Sequence, residues 1–542
     1  MRFLIPLYLV IHLATLSFAQ DNAALKRPKL VVGIMIDQMR WDYLYRYYDR
    51  YEQGGFKRLL NEGYSHENTY IDHLPTVTAI GHTTVYTGSV PSIHGITGND
   101  FMYQLEGKVT YCATDTSVSG VGINGSSGQM SPKNLLTSTV TDELKLATNF
   151  RSKVIGIAIK DRSSIFPAGH FANAAYWFGN DAKWGTSNYY MDELPAWVKQ
   201  FNESSLADDY LKNGWHTLYA KESYVQSSPD ENPYEGAMKG MNKAVLPIDA
   251  SILKKNGRGI IRDTPFGNSY TLDFAKAAIH EEQLGNNKNG CTDFLAISLS
   301  STDGIGHQYG VNALEVEDMY LRLDQDLKAF FEFLDNKIGK DEYLIFITAD
   351  HGASHNNPFF IDHRGGGGYL SLSQERLNHH LDSIYHSPAL VRSLMNDQVH
   401  LDYALIASKG LNLGNIKATI IDYCRRLPGI AYAVDMDRAG QSTVADPIRR
   451  RIVNSYNFKR SGAIQLVFDP QWKGGSDKQT GTGHSAWNPY DAHIPLVWMG
   501  WGIPKGGSSN QIASMYDIAP TISALLHIQE PNGNVGHPLS FK

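Results

Sequence analysis

Residues 294–307 read FLAISLSSTDGIGH. Phe294–Leu299 is a short run rich in branched and aromatic side chains without strict alternation, the pattern of a strand covered on both faces. Asp303 follows it, and His307 comes four residues later. The same layout recurs along the chain. Leu30–Ile36 is followed by Asp37, and Tyr343–Thr348 by Asp350 and His351. Val154–Ile159 and Ile494–Trp498 are similar runs, the second preceded by His484. All five are read as buried parallel strands. Between them, Leu323, Leu327, Phe330, Phe331 and Leu334 recur at helical spacing and predict a helix over Ala313–Ile338. Alternating strands and helices make the class α/β, with a central, mostly parallel sheet flanked by helices.

In open sheets of this class ligands bind at the carboxyl ends of the strands. Three strands deliver Asp, or Asp with His, to that edge. Singly, an Asp after a strand is an ordinary turn or cap residue. Jointly, three Asp and three His make two sites of three N/O donors each. Such a set, free of sulfur, suits Zn²⁺ with a coordination position left open. Two such ions a few ångström apart would stabilise both the attacking and the leaving oxygen of a displacement at phosphorus.

The remaining candidates point to a phosphate pocket. Pro75 marks a turn, and Thr78 opens an apparent helix running toward Tyr86. A Thr there can cap the helix. Equally, the helix start favours an anion, and beside a metal the Thr78 hydroxyl could attack phosphorus. Thr76 is the rival hydroxyl. Asn99, in the Gly95–Asn99 loop, can donate to a phosphoryl oxygen. Lys160 and Arg162 come after the Val154–Ile159 run, and strand alternation sends both to one side. An ammonium and a guanidinium together can hold two oxygens of a dianion. The Gly365–Gly368 run has no Lys-Ser/Thr after it and reads as a loop.

Composition excludes several classes. Of 542 residues 42% are apolar and 19% charged, so disorder, collagen and coiled coil are ruled out. A net charge of −6 offers no bulk attraction for nucleic acid. Met1–Ala19 has a basic start, an apolar stretch and small residues at Ser17 and Ala19, so it reads as a secretory signal peptide cut after Ala19. The mature protein is therefore expected to be exported, periplasmic or secreted, without a membrane span. One pair among Cys112, Cys291 and Cys424 could bridge. Residues 20–542 are read as one catalytic domain with large insertions at about 170–290 and 360–480, the second with a helix–strand pattern around Ile416–Val434.

Together these motifs resemble the alkaline phosphatase superfamily, in its type I phosphodiesterase/nucleotide pyrophosphatase branch. The matching text is Ile36-Asp37-Gln38, Pro75–Ala79, His94–Asn99, Ser301–His307, Thr348–Gly352 and Gly483-His484, in family order from about residue 29 onward. Lys160 and Arg162 are similar to the pair of the PafA-type alkaline phosphatases. The resemblance implies an alkaline phosphatase-like fold and a hydrolase of small phosphate monoesters. It implies two Zn²⁺ per chain, one on Asp303, His307 and His484, the other on Asp37, Asp350 and His351 with Thr78 Oγ1. Thr78 would be the nucleophile, forming a phosphothreonine, with Asn99, Lys160 and Arg162 on the phosphoryl oxygens. His82, His94 and His363 are given packing roles, and a monomer is favoured. A phosphodiesterase on the same scaffold is the alternative, and a non-catalytic zinc-binding module is the alternative of another class. A sulfatase is disfavoured because Thr78 lacks the Cys/Ser-x-Pro-x-Arg neighbourhood, and a phosphomutase is disfavoured by export.

Overall fold

The computed structural model describes residues 25–179, 181–475 and 479–542. The expected signal peptide lies outside the described residues. The centre is an 11-stranded sheet. Its chain-order strands are β1 (Leu30–Ile36), β2 (Tyr64–Tyr70), β3 (Val154–Ala158), β4 (Ala174–Phe178), β5 (Asp293–Leu299), β6 (Tyr343–Thr348) and β7 (Leu496–Gly500), with short or edge strands around them. The middle runs β6-β1-β5-β3-β4 and every pairing in it is parallel. Val32 lies between Leu295 and Ile345, so the carboxyl ends of β1, β5 and β6 finish side by side. All residues of β1, β3, β5 and β6 are buried, as both-face coverage requires.

One strand differs from the sequence reading. The run Ile494–Trp498 is not a single parallel strand. Pro495, which has no N–H to give a ladder, separates His493–Ile494 from β7. β7 is antiparallel to both β6 and β2. An apolar run encodes burial but not direction, so its orientation was invisible. β2 itself, YSHENTY, was missed because it is too polar to resemble a buried run.

Helices α1 (Thr78–Thr87), α2 (Asp161–Ala168), α3 (Phe266–Glu281), α4 (Ser301–Tyr309) and α5 (Leu314–Lys337) pack against the sheet or against one another. The predicted helix over Ala313–Ile338 is thus found as α5, and Leu323, Leu327, Phe330, Phe331 and Leu334 are all fully buried. Gly33 of β1 admits α1 closely, since a Cβ there would lie 2.4 Å from Tyr86 Oη and 2.5 Å from Phe346. The stretch from about 170 to 290 supplies scaffold as well as additions, because β4 and α3 belong to the sheet and its helical cover. Residues 370–468 contain a separate four-stranded sheet around a hydrophobic cluster that includes Leu377, Leu381, Val399, Ile416, Ile420 and Ile464. Helix Leu413–Cys424 and strand Ile430–Asp435 match the pattern read there. The three cysteines are unpaired, so the bridge left open by the sequence is not formed. Among the described residues no helix is long and apolar enough to cross a membrane.

Phe330 is buried in the main core. Phe330→Ala should cost about 3–5 kcal/mol, read as a lower thermal midpoint at unchanged activity per folded molecule. An unshifted midpoint would contradict the packing described.

Candidate active site and metal centre

Asp37, Asp303, Asp350, His351 and Lys160 all stand just beyond the carboxyl ends of parallel strands. Asp37 directly succeeds β1, and its amide donates to Leu299 O at 3.2 Å. Asp303 and His307 share one face of α4, with His307 Nε2 3.1 Å from Asp303 Oδ1. His351 Nε2 is 3.6 Å from Asp37 Oδ1 and 3.4 Å from Asp350 Oδ2. His484 Nε2 is 3.7 Å from Asp303 Oδ1. The His351 and His484 rings stack at 3.5 Å between centroids.

Two groups of donor atoms result, each within 4.8 Å: Asp37 with Asp350 and His351, and Asp303 with His351 and His484. His351 therefore stands between the two groups. His307 lies at the outer side of the second, its side chain 41% exposed.

The hydrogen bonds fix which nitrogens face inward. Nδ1–H of His307, His351 and His484 donates to the carbonyls of Thr482, Gly352 and Thr76 at 2.9, 3.0 and 2.6 Å. A carbonyl only accepts, so each Nδ1 carries the proton; the Nε2 atoms of neutral His351 and His484 then present a lone pair to the centre, while His307 Nε2 faces Asp303 Oδ1. This is the arrangement that orients metal-ligating histidines. Asp37 Oδ1, Asp350 Oδ2 and His351 Nε2 are buried without a hydrogen-bond partner. Burial, and then the charge of Asp350, push the Asp37 carboxyl well above its usual range. Burial and the neighbouring imidazoles hold His484 well below its own. Three orphaned inward atoms and like charges at close range fit a divalent cation, and the nitrogen–oxygen donor set fits zinc.

Sequence reasoning overlooked the groups that hold these ligands. Gln38, at φ 65°, gives its amide to Asp350 Oδ1 at 3.1 Å and its side-chain NH₂ to Asp303 Oδ1 at 2.6 Å. His82, assigned to packing, is fully buried but also reaches Thr78 O at 2.9 Å, Ser298 Oγ at 2.8 Å and Asp350 Oδ2 at 3.3 Å. Its position four residues after Thr78 on one helix was the available signal. His94 is buried, as expected of a packing residue. His363 has no core packing role: it is exposed where its helix ends at the surface, its ring tilted at 35° against Phe359. Gly81 lets α1 lie on Asp350, since a Cβ there would come within 2.4 Å of Asp350 O.

The two hydroxyl candidates separate. Thr76 Oγ1 donates to Ala486 O at 3.1 Å, and Thr76 also receives His484, so it ties down the loop carrying that histidine. Thr78 is the first residue of α1, with Val77 in the cap position, and its side chain does not cap the helix. Asn99 Oδ1 accepts from Ala79 N at 3.0 Å, which places the amide beside Thr78 at the helix start.

Lys160 and Arg162 are not on a strand. β3 ends at Ala158, Lys160 is the cap residue of α2 and Arg162 lies in its first turn, so strand alternation is not what groups them. They nevertheless line one cavity of about 280 Å³ with Trp177, Arg262, Asp303 and Gly304. Lys160 Nζ reaches Asp37 Oδ2 and Asp303 Oδ2, each at 2.6 Å, and so spans the two groups. Arg162 donates to Tyr111 Oη at 3.1 Å, while its Nε is buried without a partner.

If both groups hold ions, Asp37→Asn should lower bound zinc from about two per chain toward about one. Elemental analysis of gel-filtered protein measures this, and unchanged zinc would refute Asp37 as a ligand.

Comparison with known proteins agrees with this geometry. Residues 31–491 match the family model described as type I phosphodiesterase / nucleotide pyrophosphatase. A Myroides odoratus protein named calcium-transporting ATPase is 56% identical over 95% of this chain and 94% of its own. Alkaline phosphatase PhoV of Synechococcus elongatus is 49% identical over 94% and 92%. The crystal structure of alkaline phosphatase PafA superposes with a TM-score of 0.92 at 47% identity, covering 95% of this chain and 99% of that one. A further PafA crystal carries four substitutions, at a threonine, an asparagine, a lysine and an arginine. The chain belongs to the type I phosphodiesterase / nucleotide pyrophosphatase family, within its PafA-type alkaline phosphatase branch.

Proposed function

We propose that this protein is an exported alkaline phosphatase that hydrolyses small phosphate monoesters through a phosphothreonine on Thr78, with residues 20–542 as one catalytic unit bearing insertions. The carrying observation is a threonine at a helix start, free of any capping role, beside two convergent sets of inward-facing nitrogen and oxygen donors. Asp37, Asp350 and His351 would hold one zinc ion, and Asp303, His307 and His484 the other, with His351 near both. When bound, the ions supply positive charge for the attacking and departing oxygens.

The chain's own groups do the rest. Thr78 Oγ1 gives up its proton to solvent and attacks phosphorus, the Oγ–P bond forms, and the bond from phosphorus to the leaving oxygen breaks, that oxygen taking a proton from water. A water molecule, losing a proton, then attacks phosphorus, the P–Oγ bond breaks, and inorganic phosphate and reprotonated Thr78 are released. His82 and Asn99 fix the first turn of α1, so the hydroxyl is aimed before substrate arrives. Lys160 spans the two groups, so a phosphoryl group lying across them meets its ammonium. Arg162, with a buried unpartnered Nε, offers donors to a second oxygen. A PafA variant with four substitutions involves the same residue types, which supports grouping Thr78, Asn99, Lys160 and Arg162 as one machinery.

This cationic pair favours a dianionic monoester over a diester, which carries a single charge and a second ester group. The ATPase half of one relative's name is compatible with the same site. Cleaving the terminal phosphate of ATP is the same displacement with a diphosphate leaving group. We carry over that phosphoryl chemistry and not the transport.

Thr78→Ala should lower turnover of an aryl phosphate by about 1,000-fold or more while zinc content stays at the wild-type level. Retained turnover would exclude Thr78 as nucleophile. Arg162→Ala should lower monoester kcat/KM by about 100- to 1,000-fold and affect a methyl diester with the same leaving group far less. Equal losses would sink the charge-based preference. A wild-type enzyme that is inert toward both esters when loaded with zinc would instead leave the non-catalytic reading standing.

A further inference from the structure

Residues 370–468 have a sheet and a core of their own, yet two of their turns reach the loop that carries Asn99. The first is the hairpin tip between strands Val391–Met395 and Gln398–Leu401. Asn396 and Asp397 both sit there at φ 57°, the left-handed pair that a two-residue hairpin needs and that Asn and Asp tolerate. The Asn396 side-chain NH₂ donates to Asp100 O at 2.8 Å and stands 3.5 Å from Thr97 O. Those two carbonyls flank Gly98 and Asn99 in the chain. The fit is close, since a Cβ on Gly98 would lie 2.3 Å from Asn396 Nδ2.

The second turn precedes strand Ile464–Phe468. Arg460 is 6% exposed, and its Nη1 donates to Gly95 O at 2.7 Å and to Asn134 O at 2.6 Å. Its guanidinium lies 4.8 Å from the centroid of the Phe101 ring, within cation–π range. In return, Thr97 Oγ1 donates to Arg460 O at 3.3 Å. Gly95 is at φ 80°, and a Cβ there would lie 2.7 Å from Arg460 Nη1, so this contact also calls for glycine. The Gly95–Asn99 loop is thus held near its start by Arg460 and at its end by Asn396.

What the loop delivers is one amide. Asn99 Oδ1 accepts from Ala79 N at 3.0 Å, next to Thr78, so its NH₂ is the end that can donate to a phosphoryl oxygen. One bond at a side-chain tip aims that NH₂ poorly unless the backbone behind it is fixed as well. Cys112 N donates to Asn99 O at 2.8 Å, and the inserted sheet supplies the bonds on either side of it in sequence. We propose that Asn396 and Arg460 are positioning residues for phosphoryl transfer. They clamp the Gly95–Asn99 loop from the inserted sheet and so aim Asn99 at the transferring group. This rests on the role proposed above for Asn99, and it gives the second insertion a part in the reaction. Both residues act through Asn99 rather than on the substrate.

The test is a double-mutant cycle in the full-length, zinc-loaded protein, read as kcat/KM for an aryl phosphate. Asn396→Gly keeps the left-handed turn and removes the amide. Arg460→Met keeps the apolar stem and removes the donors. Each should lower kcat/KM by about 10-fold at unchanged zinc content, because a misaimed donor loses much of its worth. Asn99→Ala alone should cost about 100-fold. Combined with Asn99→Ala, either change should add less than about twofold, since the group it aims is gone. Arg460→Met also unpairs two carbonyls and lowers the thermal midpoint. Asn396→Gly, at a partly buried turn, carries the test if that variant does not fold. The same loss with and without Asn99 would mark a general structural effect and overturn the proposal, as would no loss in the single variants. Undiminished turnover in Asn99→Ala would overturn the role of Asn99 itself, which tells the two failures apart.

Discussion

Three carboxylates buried within a few ångström of one another are the constraint around which the site is arranged. Asp37, Asp303 and Asp350 are each at most 6% exposed, and each repels the others. Lys160 answers part of that charge by bridging Asp37 and Asp303. Gln38 donors and the His351 amide answer more. Asp37 Oδ1 stays unanswered, Asp350 Oδ2 is met only by the 3.3 Å approach of His82, and His351 Nε2 faces both with its lone pair. Such a centre is unfavourable alone and favourable around cations, so stability and chemistry become linked at one place.

The scaffold explains how groups hundreds of residues apart come together. Parallel pairing of β1 with β5 and β6 ends three strands at one edge, in matched register. The residues after each strand are then forced into one small volume. α1 is brought to the same volume from the other side, close to Asp350 because Gly81 has no side chain to hold it off. The antiparallel β7 serves a different purpose. The chain just before it, from Thr482 to Asp491, forms the loop that carries His484. That loop is pinned through Thr76, Ser354 and Gly352. The histidine that is most remote in sequence thus depends on main-chain bonds more than on secondary structure.

Much of this was legible in the residues. Strand cores rich in branched and aromatic side chains gave the sheet, and Asp or His beyond their ends gave the candidate ligands. The long helix was plain from Leu323 to Leu334. Direction and polarity were less readable. Nothing in Leu496–Gly500 distinguishes antiparallel from parallel, and Tyr64–Tyr70 forms a strand with little apolar character. Lys160 and Arg162 were grouped for the wrong geometric reason, since the strand ends before them and the start of α2 brings them together. Gln38, His82 and the carbonyls of Thr76, Gly352 and Thr482 carry no signature in sequence, because their importance lies in what touches them. The choice between Thr76 and Thr78 likewise needed coordinates. One hydroxyl is spent on Ala486 O, and the other stands at the helix start without capping it.

Anomalous diffraction at the zinc edge, from crystals of the protein grown with zinc and inorganic phosphate, tests the central claim most directly. The account predicts two strong peaks a few ångström apart, one against Asp37, Asp350 and His351, the other against Asp303, His307 and His484, with Thr78 Oγ1 and the phosphate between them. A lone peak, or zinc bound elsewhere while these six side chains remain apart from any metal, would contradict it.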